Sequence, residues 1–204
     1  MSPTPPTGTA PAMMSSASVV APAGKSRRRR KWPLLSAAAL VAAVGSYTLW
    51  THTHPVRLTA SVEIKAEPEQ VWRVLTDFSA YPQWNPFMTK AEITSDDGRL
   101  RAGARMRNRL EQPSGTSTFN PEVLVARPGR ELRWLGKLGP GWLVDGEHRF
   151  LIERAGPGIV RLTQSESFSG ALVPIAESKL RHETLPQFRA MNTALKKRVE
   201  SAPR

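Results

Sequence analysis

The chain has 204 residues, of which 40% are hydrophobic, room for one domain of ordinary size plus an extension. It contains no cysteine, which excludes disulfides, thiolate metal ligands and cysteine nucleophiles. The net charge of +12 is concentrated: six of the 29 basic residues fall within 25–31, and all 17 acids follow residue 60, so the rest is a mildly basic domain. No nucleic-acid module or aromatic–basic interleaving accompanies that charge, so nucleic acid is not expected as a partner.

Residues 1–24 are rich in Pro, Ala, Ser and Thr and could not build a core. With the basic run that follows, residues 1–31 read as a disordered basic tail. Residues 32–50 carry no charge, and as a helix would span about 28 Å, close to the hydrocarbon thickness of a bilayer. Trp32 at one end and Tyr47 and Trp50 at the other suit the two interfaces. A transmembrane signal-anchor is the leading reading, with the basic flank and N-terminus cytoplasmic and the rest extracytoplasmic, in a bacterium periplasmic. The alternatives are a cleaved signal peptide, for which no clear small-x-small site follows, and a soluble helix or nuclear-localisation cluster. Residues 51–57 form a short linker.

From residue 58 the pattern changes. Leu58, Ala60, Val62, Ile64 and Ala66 alternate with Thr59, Ser61, Glu63 and Lys65, the period of a half-buried strand. Pro68 then opens a helix whose apolar face is Val71, Val74, Leu75 and Phe78. A second short helical piece through Tyr81, Pro82 and Trp84 ends at Pro86 and Phe87. Ala91 and Ile93 lead to a turn at Asp96-Asp97-Gly98. Further strands are expected over 104–111, 116–126 (interrupted at Pro121), 131–135, 142–152 and 159–168. Phe188, Met191, Leu195 and Val199 mark the buried face of a closing helix that Pro186 should kink or split. Arg189, Lys196, Lys197 and Arg198 would lie on its solvated side.

Three blocks resemble a known family: residues 64–87, Asp145-Gly146-Glu147-His148-Arg149-Phe150, and Ser165-Glu166-Ser167-Phe168-Ser169-Gly170. On these the chain is similar to the START-like, or SRPBCC, superfamily, most closely its polyketide cyclase/dehydrase-like branch, with residues 58–201 as the domain. The resemblance implies an α+β helix-grip fold. About seven curved antiparallel strands would wrap a long C-terminal helix, with two short helices after the first strand. It also implies an internal cavity.

Cavities of this kind are mostly apolar with a few polar groups. A three-residue loop at Gly156-Pro157-Gly158 would place Ala155 opposite Ile159, Ile152 opposite Leu162, Phe150 opposite Gln164 and His148 opposite Glu166. A four-residue loop would turn one apolar set outward. His148 and Glu166 are therefore candidate acid–base residues, or partners that satisfy each other in the interior. Trp84, Phe87, Asn108, Trp134, Trp142, Phe150 and Gln164 are candidate cavity residues alongside them. No cofactor or metal is expected, since His52 and His54 have no third ligand nearby.

The expected function is membrane-anchored binding of a hydrophobic small molecule: a lipid, a quinone or a polyketide-like compound. A cyclase, dehydratase or isomerase using His148 and Glu166 is the alternative. A non-catalytic interaction module, with Arg105, Arg107 and Arg109 facing a partner or lipid, is the third.

Overall fold

The computed structural model describes Met1 and residues 32–201, so the reading of the basic tail lies outside the described residues. Helix α1 runs from Trp32 to Thr53 and strand β1 from Val56 to Ile64. The connection between them is thus only His54 and Pro55, shorter than the expected linker. Helix α2 (Pro68–Thr76), a 3₁₀ turn (Phe78–Ala80) and α3 (Tyr81–Trp84) follow. Then come β2 (Met88–Ile93), β3 (Met106–Gln112), β4 (Gly115–Phe119), β5 (Glu122–Arg127) and β6 (Glu131–Leu138). Strands β7 (Val144–Gly156) and β8 (Ile159–Ser169) precede helix α4 (Val173–Glu200).

All pairings are antiparallel. One sheet has the order β1-β8-β7-β6-β5 and the other the order β2-β3-β4. The described residues form eight strands rather than seven. Pro121 breaks the segment expected as one strand because it has no N–H for the ladder. The part before it pairs with β3 and the part after it with β6.

Period-two patterning sets the inner face. Leu58, Ala60 and Ile64 are buried while Thr59, Ser61 and Glu63 are exposed. In α2, Val71 and Leu75 are buried, and a reciprocal capping box between Glu67 and Gln70 starts the helix. Tyr81 is wholly buried and donates its hydroxyl to the Leu75 carbonyl at 2.6 Å, tying α3 to the end of α2. Asn85 accepts from the N–H groups of Phe87 and Met88, which turns the chain into β2.

Helix α4 is continuous over 28 residues with Pro186 inside it, not split. Its Phe188, Met191, Leu195 and Val199 face the sheets and are buried, and Asn192 donates to the Ala60 carbonyl of β1 at 3.1 Å. This is the helix-grip arrangement, curved sheets held around a long C-terminal helix. Arg105, Arg107 and Arg109 are exposed, as their alternation predicts.

Candidate functional site

In the β7–β8 hairpin, His148 opposes Glu166, Phe150 opposes Gln164 and Ile152 opposes Leu162. The expected register is present, but the turn that sets it is different. Gly156, not Ala155, opposes Ile159, and Ala155 is an extra residue that bulges from β7. Pro157 and Gly158 alone close the loop, with Gly158 at φ +62°. A bulge adds one residue to one strand, so a shorter loop plus a bulge gives the same pairing as a longer loop.

That register turns His148, Phe150, Leu162 and Gln164 inward, where all four are buried. The imidazole of His148 stacks on Trp134 of β6 (5.0 Å between centroids, 11° between planes). It meets Phe188 of α4 edge-on at 5.0 Å, with Phe150 4.8 Å away. Phe188 also packs edge-on against Phe87 at 5.7 Å, which joins the segment before β2 to this cluster.

Both ring nitrogens of His148 are engaged. Nδ1 lies 3.3 Å from Glu166 Oε2, and Nε2 lies 3.1 Å from Gln164 Nε2. With the amide in this orientation Gln164 donates to Nε2, so the neutral ring carries its proton on Nδ1 and donates it to Glu166. The 3.3 Å separation is long for such a bond. Glu166 itself is 16% exposed at the side chain, at the edge of the interior rather than within it.

The interior also holds polar atoms without a partner among the described residues. Asn108 of β3 is wholly buried, and neither its Nδ2 nor its Oδ1 is hydrogen-bonded. Gln164 Oε1 is likewise buried and unpaired. Buried carboxamides normally find partners; Asn85 Nδ2 and Asn192 Oδ1 also lack one among the described residues, but each of those amides is bonded through its other atom, whereas Asn108 is bonded through neither.

The structure brings Phe87, Trp134, His148, Phe150, Gln164 and Glu166 together and buries Asn108 on the inner face of the second sheet. Trp84 is half-buried and packs edge-on against Tyr81 at 5.1 Å, not against the His148 ring. Trp142 is a correction: it is 51% exposed and lies in the turn before β7, not on a cavity wall. Strand β7 begins only at Val144, because the chain from Gly139 is still turning. A surface concavity of about 680 Å³, bordered by Phe78, Pro82, Lys90, Ile93, Arg109 and Glu111, contains none of the nominated residues.

Three contributors were not nominated from sequence. Helical spacing marks Phe188 and Met191 only as packing residues of α4, yet Phe188 abuts His148 and Met191 Sδ lies 3.7 Å from Gln164 Nε2. Gly146 leaves room for the Glu166 carboxylate. Helical spacing marks the first two as inward-facing, but no sequence signal says which strand they meet.

Comparison with known proteins places this geometry. The chain resembles a START superfamily protein from Mycobacterium smegmatis at 25% identity, covering 71% of this chain and 97% of that one (TM-score 0.53). It resembles the Zhui aromatase/cyclase from a Streptomyces species at 17% identity, covering 72% and 94% (TM-score 0.59). A norcoclaurine synthase mutant from Thalictrum, in complex with a transition-state analogue, matches at 16% identity over 71% and 94% (TM-score 0.55). At identities this low, the last two establish the fold alone. No curated protein matches the sequence. The family model described as polyketide cyclase / dehydrase and lipid transport matches residues 55–200, and the chain belongs to that family, within the START-like superfamily.

Proposed function

We propose that this protein binds a hydrophobic small molecule carrying a polar end, in the interior lined by Phe87, Trp134, Phe150 and Phe188, while anchored to a membrane through α1. The observation that carries the reading is the set of unpaired, fully buried amide atoms of Asn108 and Gln164. Leaving such atoms unpaired costs about 1–3 kcal/mol each; a ligand hydroxyl would recover it by donating to Asn108 Oδ1 or Gln164 Oε1, and a ligand carbonyl by accepting from Asn108 Nδ2. The aromatic walls suit an isoprenoid, quinone, lipid or polyketide-like body. Helix α1, whose most apolar 18-residue stretch has a mean hydropathy of 1.5, is long and apolar enough to cross a bilayer and is hardly buried by the domain. An extracytoplasmic domain follows from the basic flank.

An enzyme of the cyclase, dehydratase or isomerase type is the second reading, favoured by the His148–Glu166 contact. The carboxylate would orient the ring, and Nε2 would exchange a proton with substrate. Against it, Nε2 is already held by Gln164 at 3.1 Å, so the amide must move before a substrate proton can reach the ring.

The test is extraction of small molecules from the purified full-length chain, with identification by mass spectrometry. A retained isoprenoid, quinone, lipid or polyketide-like compound supports the reading. No retained compound, after membrane extracts have been offered, overturns it. Turnover of an identified compound that is lost in His148→Ala but with binding intact would establish the enzyme instead.

A further inference from the structure

Outside α1 and the N-terminal Met1, the exposed large hydrophobic residues of the described chain are Leu138, Trp142, Leu172 and Ile175, at 69%, 51%, 45% and 81% exposure. Apolar residues scattered singly over a surface need no explanation, whereas their confinement to one place does. These four lie in only two segments: the β6–β7 turn with the strand ends that flank it, LGPGWLV over residues 138–144, and the β8–α4 connection with the first turn of α4, GALVPIA over 170–176. Neither stretch contains a charged residue.

The two segments are held together. The Ala171 N–H donates to the Trp142 carbonyl at 2.9 Å and the Leu172 N–H to the Leu143 carbonyl at 3.2 Å. The contact is so close that a β-carbon on Gly170, at φ +121°, would collide with the Leu143 carbonyl. The pair is also tied to α1, because the Tyr47 hydroxyl donates to the Ala171 carbonyl at 2.9 Å. Near the end of the helix, Thr51 is buried.

The Tyr47 bond fixes a depth. Tyr47 lies three residues before Trp50, about 4.5 Å further back along the helix axis. In a bilayer crossed by α1 both aromatics occupy the interfacial layer, which aromatic side chains with a polar edge prefer. The Ala171 carbonyl is within hydrogen-bond distance of Tyr47, so the apolar segments beside it lie at the level of that layer whenever α1 crosses a bilayer.

We infer that Leu138, Trp142, Leu172 and Ile175 form a lipid-facing surface that inserts into the interfacial layer of the bilayer crossed by α1. The inference rests on the membrane-anchor reading and gives it an orientation. The domain lies with its β6–β7 and β8–α4 turns downward. The bilayer-facing start of β7 at Val144 is then four residues from His148, about 13 Å along the strand. A ligand partitioned in the membrane would reach the interior from this end.

The absence of cysteine allows a direct test. Single nitroxide labels are placed on Leu138→Cys, Leu172→Cys and Ile175→Cys of the full-length chain in phosphatidylcholine nanodiscs. Leu40→Cys, in the middle of α1, reports the span, and Asp96→Cys, in a polar turn, reports water. Collision with oxygen, relative to collision with a water-soluble nickel chelate, measures lipid contact. The expected result is a high ratio at Leu40→Cys, an intermediate one at the three turn positions and a low one at Asp96→Cys. Turn positions as wet as Asp96→Cys, with Leu40→Cys immersed, overturn the docking surface and leave the anchor standing. A wet Leu40→Cys overturns both.

Discussion

Gly146 lies beneath the carboxylate of Glu166: a β-carbon on this residue would stand 2.7 Å from Glu166 Oε1. Contact that close forces one group to move. The carboxylate is the free end of a flexible side chain, whereas Gly146 is held in the ladder opposite Gly136 and Phe168. Gly146→Ala is therefore expected to push the Glu166 carboxylate off His148 Nδ1 and leave the fold in place. The check is nitrogen NMR of the His148 ring, read against Glu166→Gln. Matching changes in the two variants bear out the positioning role, and an unchanged Nδ1 signal in Gly146→Ala refutes it.

Asn108 separates stability from function. Its two amide atoms are buried without partners, so a leucine of similar shape removes a desolvation cost without leaving a hole. Asn108→Leu is expected to be more stable than the parent by about 1–3 kcal/mol in urea unfolding. Ligand retention, measured on the same preparations, should fall. A variant that loses stability would mean that the amide is bonded within the protein.

Tyr81 predicts an alkaline limb. Burial, with the Asp77 carboxylate adding to it, pushes its hydroxyl far above an ordinary phenol. A folded value raised above the unfolded one near 10 means that the contribution is complete below pH 10 and is lost as pH rises further. Tyr81→Phe should be destabilised by about 1–3 kcal/mol near neutrality, because the Leu75 carbonyl loses its donor. Its stability should then decline less steeply than the parent's above about pH 10, in thermal unfolding followed across that range.

Glu200 predicts the opposite limb. The Lys65 N–H at 2.8 Å, then the Lys196 ammonium at 3.0 Å, hold this carboxyl below its usual range. With the folded value depressed, the stabilisation is present above the ordinary carboxylate value and is lost as pH falls below about 4.5. Glu200→Gln should be less stable than the parent at pH 7, and the gap should narrow on acidification. A gap that stays constant with pH would show that the charge contributes nothing.

The inner faces of the strands and the apolar face of α4 are legible in the sequence because side-chain direction repeats every two residues in a strand and every 3.6 in a helix. The alternation around Leu58 and the opposition of His148 to Glu166 follow from that rule. A register slipped by one residue would turn an entire apolar set into water, so the pairing holds even though periodicity does not show the bulge at Ala155. The uncharged run of α1 is legible for the same kind of reason, since its length and composition are local properties.

Periodicity says which way a side chain points, but not what stands opposite it. Trp142 continues the pattern of β7 on paper, yet the turn beginning at Gly139 and the close approach of Gly170 to Leu143 carry it outside. Glu131 is buried because Arg149 folds over it at 2.8 Å, a contact between two strands that no local spacing announces. The Gln164 amide on His148, the Phe188 edge against the same ring and the Tyr47 bond to Ala171 each join residues 16, 40 and 124 positions apart. The first is a diagonal contact inside the β7–β8 hairpin, set by the side-chain conformations and not by the register alone; the other two depend on how helices α4 and α1 lie against the sheets, a packing of whole faces, and only the tertiary structure decides it.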